Sequence, residues 1–179
     1  MWGYMSNSDT IASLGLILSL AAFIISLRSY GVAKKSLNIS KDQHNERSLG
    51  IKLYYIDAYK WISEDDKYIS FALRFTNLSS LPSTILKIEL HIEYHDENNV
   101  LGKVKVHPDT TTTPVNLKKY SDIISQPLNI SNKSAKAGWV TFKLPPFLKE
   151  QLRVDLYQVI AETIDGKTIS INTHIINEV

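Results

Sequence analysis

Residues 11–27 read IASLGLILSLAAFIISL, seventeen apolar or small residues without a charge. A run of this kind stands at the short end of what crosses the hydrocarbon core of a bilayer. Its edges lengthen it. Ser8 or Asp9 is placed to cap the helix start, where the macrodipole also favours negative charge. Trp2 and Tyr4 before the run and Tyr30 after it suit the two lipid–water interfaces, and Arg28 can snorkel. The expectation is a transmembrane helix over 11–27, preceded by a short flank, residues 1–10. A cleaved signal peptide fits less well, because no Lys or Arg precedes the run and no convincing small-x-small cleavage site follows it. A helix buried in a soluble core would not need so long a run.

A second pattern overlies the first. Ser8, Ala12, Gly15, Ser19, Ala22, Ser26, Ser29, Ala33, Ser36 and Ser40 recur at alternating steps of four and three, a heptad seam of small side chains. Membrane helices gain little from the hydrophobic effect when they pair and rely on close packing at small residues. A spacing of about 3.5 residues selects a left-handed crossing. The seam therefore predicts a homo-oligomer, with a second transmembrane protein as the alternative partner. Ser, Ala and Gly are common here, so chance filling of the frame is the competing explanation.

Beyond Leu27 the helix is expected to leave the lipid as a basic juxtamembrane stalk, residues 28–48. Arg28, Lys34, Lys35 and Lys41 can engage anionic head groups at about 1 kcal/mol each, although Asp42 and Glu46 dilute the charge at the far end. These cations and Arg47 follow the span while none precedes it. The positive-inside rule then puts the amino terminus outside and the rest of this single-pass membrane chain in the cytoplasm.

Residues 49–179 are enough for one domain with a real core. The whole chain holds 20 Lys and Arg against 18 Asp and Glu, a net +2, so no nucleic-acid partner is expected. Cysteine is absent, which excludes disulfides and thiolate metal sites. After Leu49 helical spacing gives way to alternation. Between Ile85 and His95, Leu86, Ile88, Leu90, Ile92 and Tyr94 hold one parity and Lys87, Glu89, His91, Glu93 and His95 the other, the signature of a half-buried strand. Ile69, Phe71, Leu73 and Phe75 mark a second, ended by the turn formers and proline of 77–82. Further strands are expected over 51–62, 101–107, 139–144, 154–164 and 167–175, the last two flanking Asp165-Gly166, a type I′ hairpin signal. Residues 108–136 are polar, with Tyr120, Ile123, Ile124, Pro127 and Leu128 as a possible short edge strand. Seven or so strands without helices predict an antiparallel β-sandwich.

The run Phe71-Ala72-Leu73-Arg74-Phe75-Thr76-Asn77, its Ser and Pro turn, and Ile85-Leu86-Lys87-Ile88-Glu89-Leu90 resemble paired strands of immunoglobulin-like domains. Such domains occur in uncharacterised single-pass membrane-anchored proteins of bacteria and phages. The strand from Trp139 to Pro145 and the Gly166-Lys167 hairpin are similar to their closing strands. The resemblance covers most of 49–179 and implies an immunoglobulin-like sandwich that acts by binding; it carries no catalytic residue.

Little in the chain suggests chemistry. His91, Glu93 and His95 share a strand face and could in principle offer zinc imidazole and carboxylate ligands, with His107 nearby. Alternate strand residues stand about 7 Å apart, so a solvated polar row is the plainer reading and no metal or other cofactor is expected. Nucleophile motifs, phosphate-binding glycine loops and metalloprotease signatures are missing, so no enzymatic activity is expected. Glu64, Asp65 and Asp66 read as a turn. Tyr54, Tyr55, Tyr59 and Trp61 crowd the first strand, most expected in the core. The functional expectation is a membrane-anchored interaction module: an adaptor, sensor or accessory subunit, possible in envelope sensing or phage defence. Alternatives are an extracytoplasmic adhesion or carbohydrate-binding module and a small oligomeric channel lined by the seam hydroxyls.

Overall fold

The structure, a computed structural model, describes residues 7–112, 122–148, 152–174 and 176–178. The chain divides into two compact units, Met1–Asn45 and Glu46–Val179. One helix, α1 (Asn7–Ser48), is followed by an all-β region.

Helix α1 runs unbroken because no proline falls within it and its two glycines are isolated. Within it Ser8 and Asp9 are already helical rather than at a cap; Trp2 and Tyr4 fall outside the described residues. Its 42 residues, at about 1.5 Å each, reach roughly 63 Å, about twice a hydrocarbon core. The most apolar 18-residue window has a mean hydropathy of 2.3 and none of it is buried, so the chain carries a helix long and apolar enough to cross a membrane. Ile11 is 71% exposed and Phe23 61%. In water that surface would be costly.

The second unit holds two sheets. The first orders β6 (Ala135–Lys143), β2 (Asp66–Asn77), β1 (Ile51–Ser63) and β9 (Asn177–Glu178). The second orders β4 (Leu101–Val106), β3 (Ser83–His95), β7 (Arg153–Thr163) and β8 (Thr168–Thr173), with β5 (Leu128–Ile130) also on β3. β5 pairs with Ser83–Ile85 and β4 with Leu90–His95, so the two short strands share one edge of a long one. Ile69, Phe71, Leu73 and Phe75 of β2 are fully buried in one cluster with Ile88, Leu90 and Ile92 of β3, Phe142 of β6 and Val159 of β7. Both sheets thus feed a single core.

There are nine strands among the described residues rather than about seven. β5 and β9 are the additions; two or three residues are too few to display a period. The polar stretch 108–136 contains β5 and the start of β6, while Pro108 and Ile123 bridge to Phe142 and Trp139 at the β6 edge. Ile123 therefore does not join Leu128 in one strand, and Tyr120 lies outside the described residues.

Two bulges overturn parity readings. Leu86 is 46% exposed while Ile85 is buried, because the register steps from Ile85↔Thr163 to Lys87↔Glu162 and leaves Leu86 unpaired. In β1 the register steps over Ile56, so Tyr54 and Tyr59, of opposite parity in the sequence, lie on the same face.

The turns differ in kind. Glu64 and Asp65 link β1 to β2 with φ of 49° and 66°, both left-handed as a type I′ turn requires. The Asp165-Gly166 hairpin forms, but only Gly166 is left-handed there, with φ of 75°. The Gly166 N–H donates to Thr163 O and the Thr163 N–H to Lys167 O, which makes a three-residue loop with a glycine bulge rather than type I′.

Where β1 begins, backbone and side chains of the β2–β3 loop satisfy two carbonyls that the end of a helix leaves open and a third just past it. Ser80 N–H donates to Glu46 O at 3.3 Å, Ser79 Oγ to Arg47 O at 3.1 Å and Leu78 N–H to Gly50 O at 3.2 Å. Asn77, fully buried, organises that loop. Its Nδ2 donates to the carbonyls of Leu81, Ile130 and Ser131, and its Oδ1 accepts from Ser79 N–H.

Candidate functional site

The residues with the clearest functional pattern lie on α1. In heptad letters Gly15, Ala22, Ser29 and Ser36 take d and Ala12, Ser19, Ser26, Ala33 and Ser40 take a, all within one continuous helix. A straight helix drifts about 20° per heptad against a 3.5-residue repeat, so the stripe from Ser8 to Ser36 turns by about 80° and favours a left-handed partner. Arg28 and Lys35 fall at c and Lys34 and Lys41 at b, two stripes on the outer flanks of the helix. The seam itself carries no charge.

The seam is also open. A Cβ built at Gly15 meets no atom within 4 Å, and the same holds at Gly31, which sits at f, opposite the seam. Ser19 Oγ donates to Gly15 O at 2.8 Å, and off the seam Ser13 Oγ donates to Thr10 O at 2.9 Å. Such back-bonding satisfies a hydroxyl within its own helix.

The histidine row does not assemble a metal centre. His91 Nε2 lies 3.4 Å from Glu89 Oε2, Glu93 accepts from Lys103 Nζ at 2.9 Å, and His95 Nδ1 is 3.4 Å from Asn99 O. Each of the three residues turns to a different partner, and among the described residues no group of three His, Asp or Glu side chains is set to hold a metal. His91 is 8% exposed and so is not a solvated residue as the alternation implies. It packs between Lys105 of β4 and Gln158 of β7, its neighbours across the ladder. Glu89 organises this patch, with Lys87 Nζ at 2.7 Å and His107 Nδ1 at 3.6 Å from Oε1. The hydrogen bond from Lys87, aided by His91 and His107, holds the Glu89 carboxyl below its ordinary pKa against the opposing effect of partial burial.

The aromatics of β1 lie mainly outside the core. Tyr55 packs against it, whereas Tyr54, Tyr59 and Trp61 line the outer face of the first sheet because of the bulge at Ile56. Arg74 stands over the Tyr54 ring at 4.9 Å, Tyr59 meets Trp139 at 5.8 Å and Trp61 stacks on Tyr68 at 4.6 Å. Trp61 Nε1 donates to Ser70 Oγ, itself bonded to Thr141 Oγ1, so this face is tied by buried polar contacts. Sequence alternation gave no sign of this layer, since a one-residue bulge reverses it.

The molecule is thus of the class that joins one helix able to cross a membrane to a two-sheet β domain. No protein-family model matches the sequence, and no curated protein matches it either. Among solved structures it is similar to the sporulation control protein Spo0M of Bacillus subtilis, at 12% identity and a TM-score of 0.38, over 73% of this chain and 49% of that one. It is also similar to the alkylpurine DNA glycosylase AlkC of Pseudomonas fluorescens, at 6% identity and a TM-score of 0.39, over 72% of this chain and 31% of that one. The putative ApaA protein of Bordetella pertussis is similar at 11% identity and a TM-score of 0.30, over 68% of this chain and 86% of that one. The chain spans about half the length of the first and a third of the second.

Proposed function

We propose that this protein is a membrane-anchored interaction module whose helix crosses the bilayer once and self-associates through its small-residue seam. The observation that carries the reading is the apolar half of α1, whose side chains are left uncovered by protein and need lipid around them. A helix about twice as long as the hydrocarbon core must also extend into water, which matches the charged second half. The β domain acts as an immunoglobulin-like binding sandwich, a reading supported by its two largely antiparallel sheets around a shared core. The cytoplasmic side for this domain is supported by the cations that follow the span, through the positive-inside rule. Association through the seam brings copies of the domain together, so contacts too weak to act singly gain effective concentration.

Single cysteines at Gly15, Ser19 and Ala22 on the seam, and at Ile17 and Ile24 opposite it, test this in native membranes, since no native cysteine interferes. Cross-links confined to the seam positions are expected. Equal cross-linking on both faces, or none, overturns self-association. Protease protection of the β domain in intact cells is expected for the cytoplasmic orientation; its digestion from outside reverses that assignment and favours an extracytoplasmic adhesion or carbohydrate-binding module.

A further inference from the structure

At the end of β1 farthest from Ile51 the two sheets part around a cleft of about 460 Å³. That volume is in the range of small-molecule sites. Its apolar lining comes from Ile92 of β3, Val154 and Tyr157 of β7, and Leu144 and Leu148 of the segment that follows β6. Ile92 and Tyr157 belong to the buried core, so the cleft reaches the floor of the sandwich rather than denting its surface.

The wall is not wholly apolar. Lys60 and Lys67 both border the cleft. Lys60 lies at the position in β1 where alternation points inward, and its Nζ stands 5.2 Å above the Tyr157 ring. Its carboxylate partner, Glu178, is 3.8 Å away with a side chain 81% exposed, against 33% for Lys60. A pair that long and that wet contributes little, so the Lys60 ammonium can exchange Glu178 for another anion at small cost. A cleft of mixed lining, with core side chains on one wall, Lys60, Lys67 and Glu178 among its polar groups and the Lys60 ammonium over an aromatic ring, suits a molecule with a hydrocarbon body and one anionic end.

We propose that this cleft binds a single-chain alkyl or aryl carboxylate, its apolar body between the sheets and its carboxylate on Lys60. The inference does not depend on where the helix resides.

Octanoate is the probe, titrated calorimetrically into the full chain in nanodiscs with empty nanodiscs subtracted, and octan-1-ol is titrated in parallel. Saturable octanoate binding at one site is expected. Lys60→Met, which keeps the apolar stem, should weaken octanoate about fivefold, the size of an interaction of about 1 kcal/mol, and leave octan-1-ol unchanged. Lys60→Glu should abolish octanoate binding while sparing the alcohol. Val154→Trp fills the slot and should remove both; the two Lys60 variants, on a half-exposed side chain, keep the test valid if that one fails to fold. No saturable octanoate heat, or octanoate affinity indifferent to Lys60, overturns the proposal.

Discussion

Replacing Gly15 by leucine separates the seam from the helix that carries it. In the isolated helix a Cβ at Gly15 meets nothing within 4 Å, so the larger side chain causes no strain there. Helix propensity moves the other way, because leucine in place of glycine stabilises an exposed helix by nearly 1 kcal/mol. At a close-packed crossing the outcome reverses. Overpacking costs about 1–3 kcal/mol for each side chain inserted, and in a two-fold symmetric pair the residue enters from both sides. Gly15→Leu should therefore weaken association by at least about 2 kcal/mol, roughly thirtyfold. Gly31→Leu is the control, because a Cβ there also meets nothing, yet the position faces away from the seam. The assay is energy transfer between donor- and acceptor-labelled chains in vesicles across a range of protein-to-lipid ratios, with helicity followed by circular dichroism. Expected is a large loss of transfer for Gly15→Leu alone, with helicity kept in both variants. Equal loss in the two, or none in either, refutes the seam as an interface.

Asn77→Ala should destabilise the β domain by about 3 kcal/mol, read by denaturant titration, because three carbonyls and the Ser79 N–H lose a buried partner together; a loss under 1 kcal/mol would mean water replaces the amide. Glu64→Asn with Asp65→Gly should raise stability by about 1 kcal/mol and the melting temperature by a few degrees, since both positions hold left-handed φ that this pair tolerates better. A fall in melting temperature would contradict the turn assignment. Glu89 has a folded pKa below its ordinary 4.5, so its contribution is complete above that pH and is lost as pH falls through the folded value. Glu89→Gln should thus lower stability at pH 7 and flatten the acid limb below pH 4.5; an unchanged acid limb would place the coupling elsewhere.

Much of the β domain was legible from alternation. Ile69, Phe71, Leu73 and Phe75 are all fully buried, and Ile88, Leu90 and Ile92 behave likewise. Alternation failed where one residue was inserted: past Ile56 and at Leu86 each bulge reversed the faces that followed or preceded it. The type I′ turn fell at Glu64-Asp65, which lacks the usual Asn-Gly, while Asp165-Gly166 took a longer loop. Turn geometry is set by the registers of the strands it joins, and those depend on both sheets. The histidine row was misread for a related reason: His91 is buried between Lys105 and Gln158, its neighbours across the ladder, which no local window contains.

What the sequence determined alone is what depends on near neighbours along the chain. An uncharged apolar run, the absence of proline up to Ser48 and a small residue at each a and d position from Ser8 to Ser40 are local properties, and they suffice for a continuous helix and its seam. Only the tertiary structure decided the sharing of β3 between β4 and β5, the aromatic layer outside the first sheet and the cleft beside Lys60. Each of these includes a contact between residues dozens of positions apart, and the pairing register that joins them is selected by burial of the whole core at once, which no local window contains.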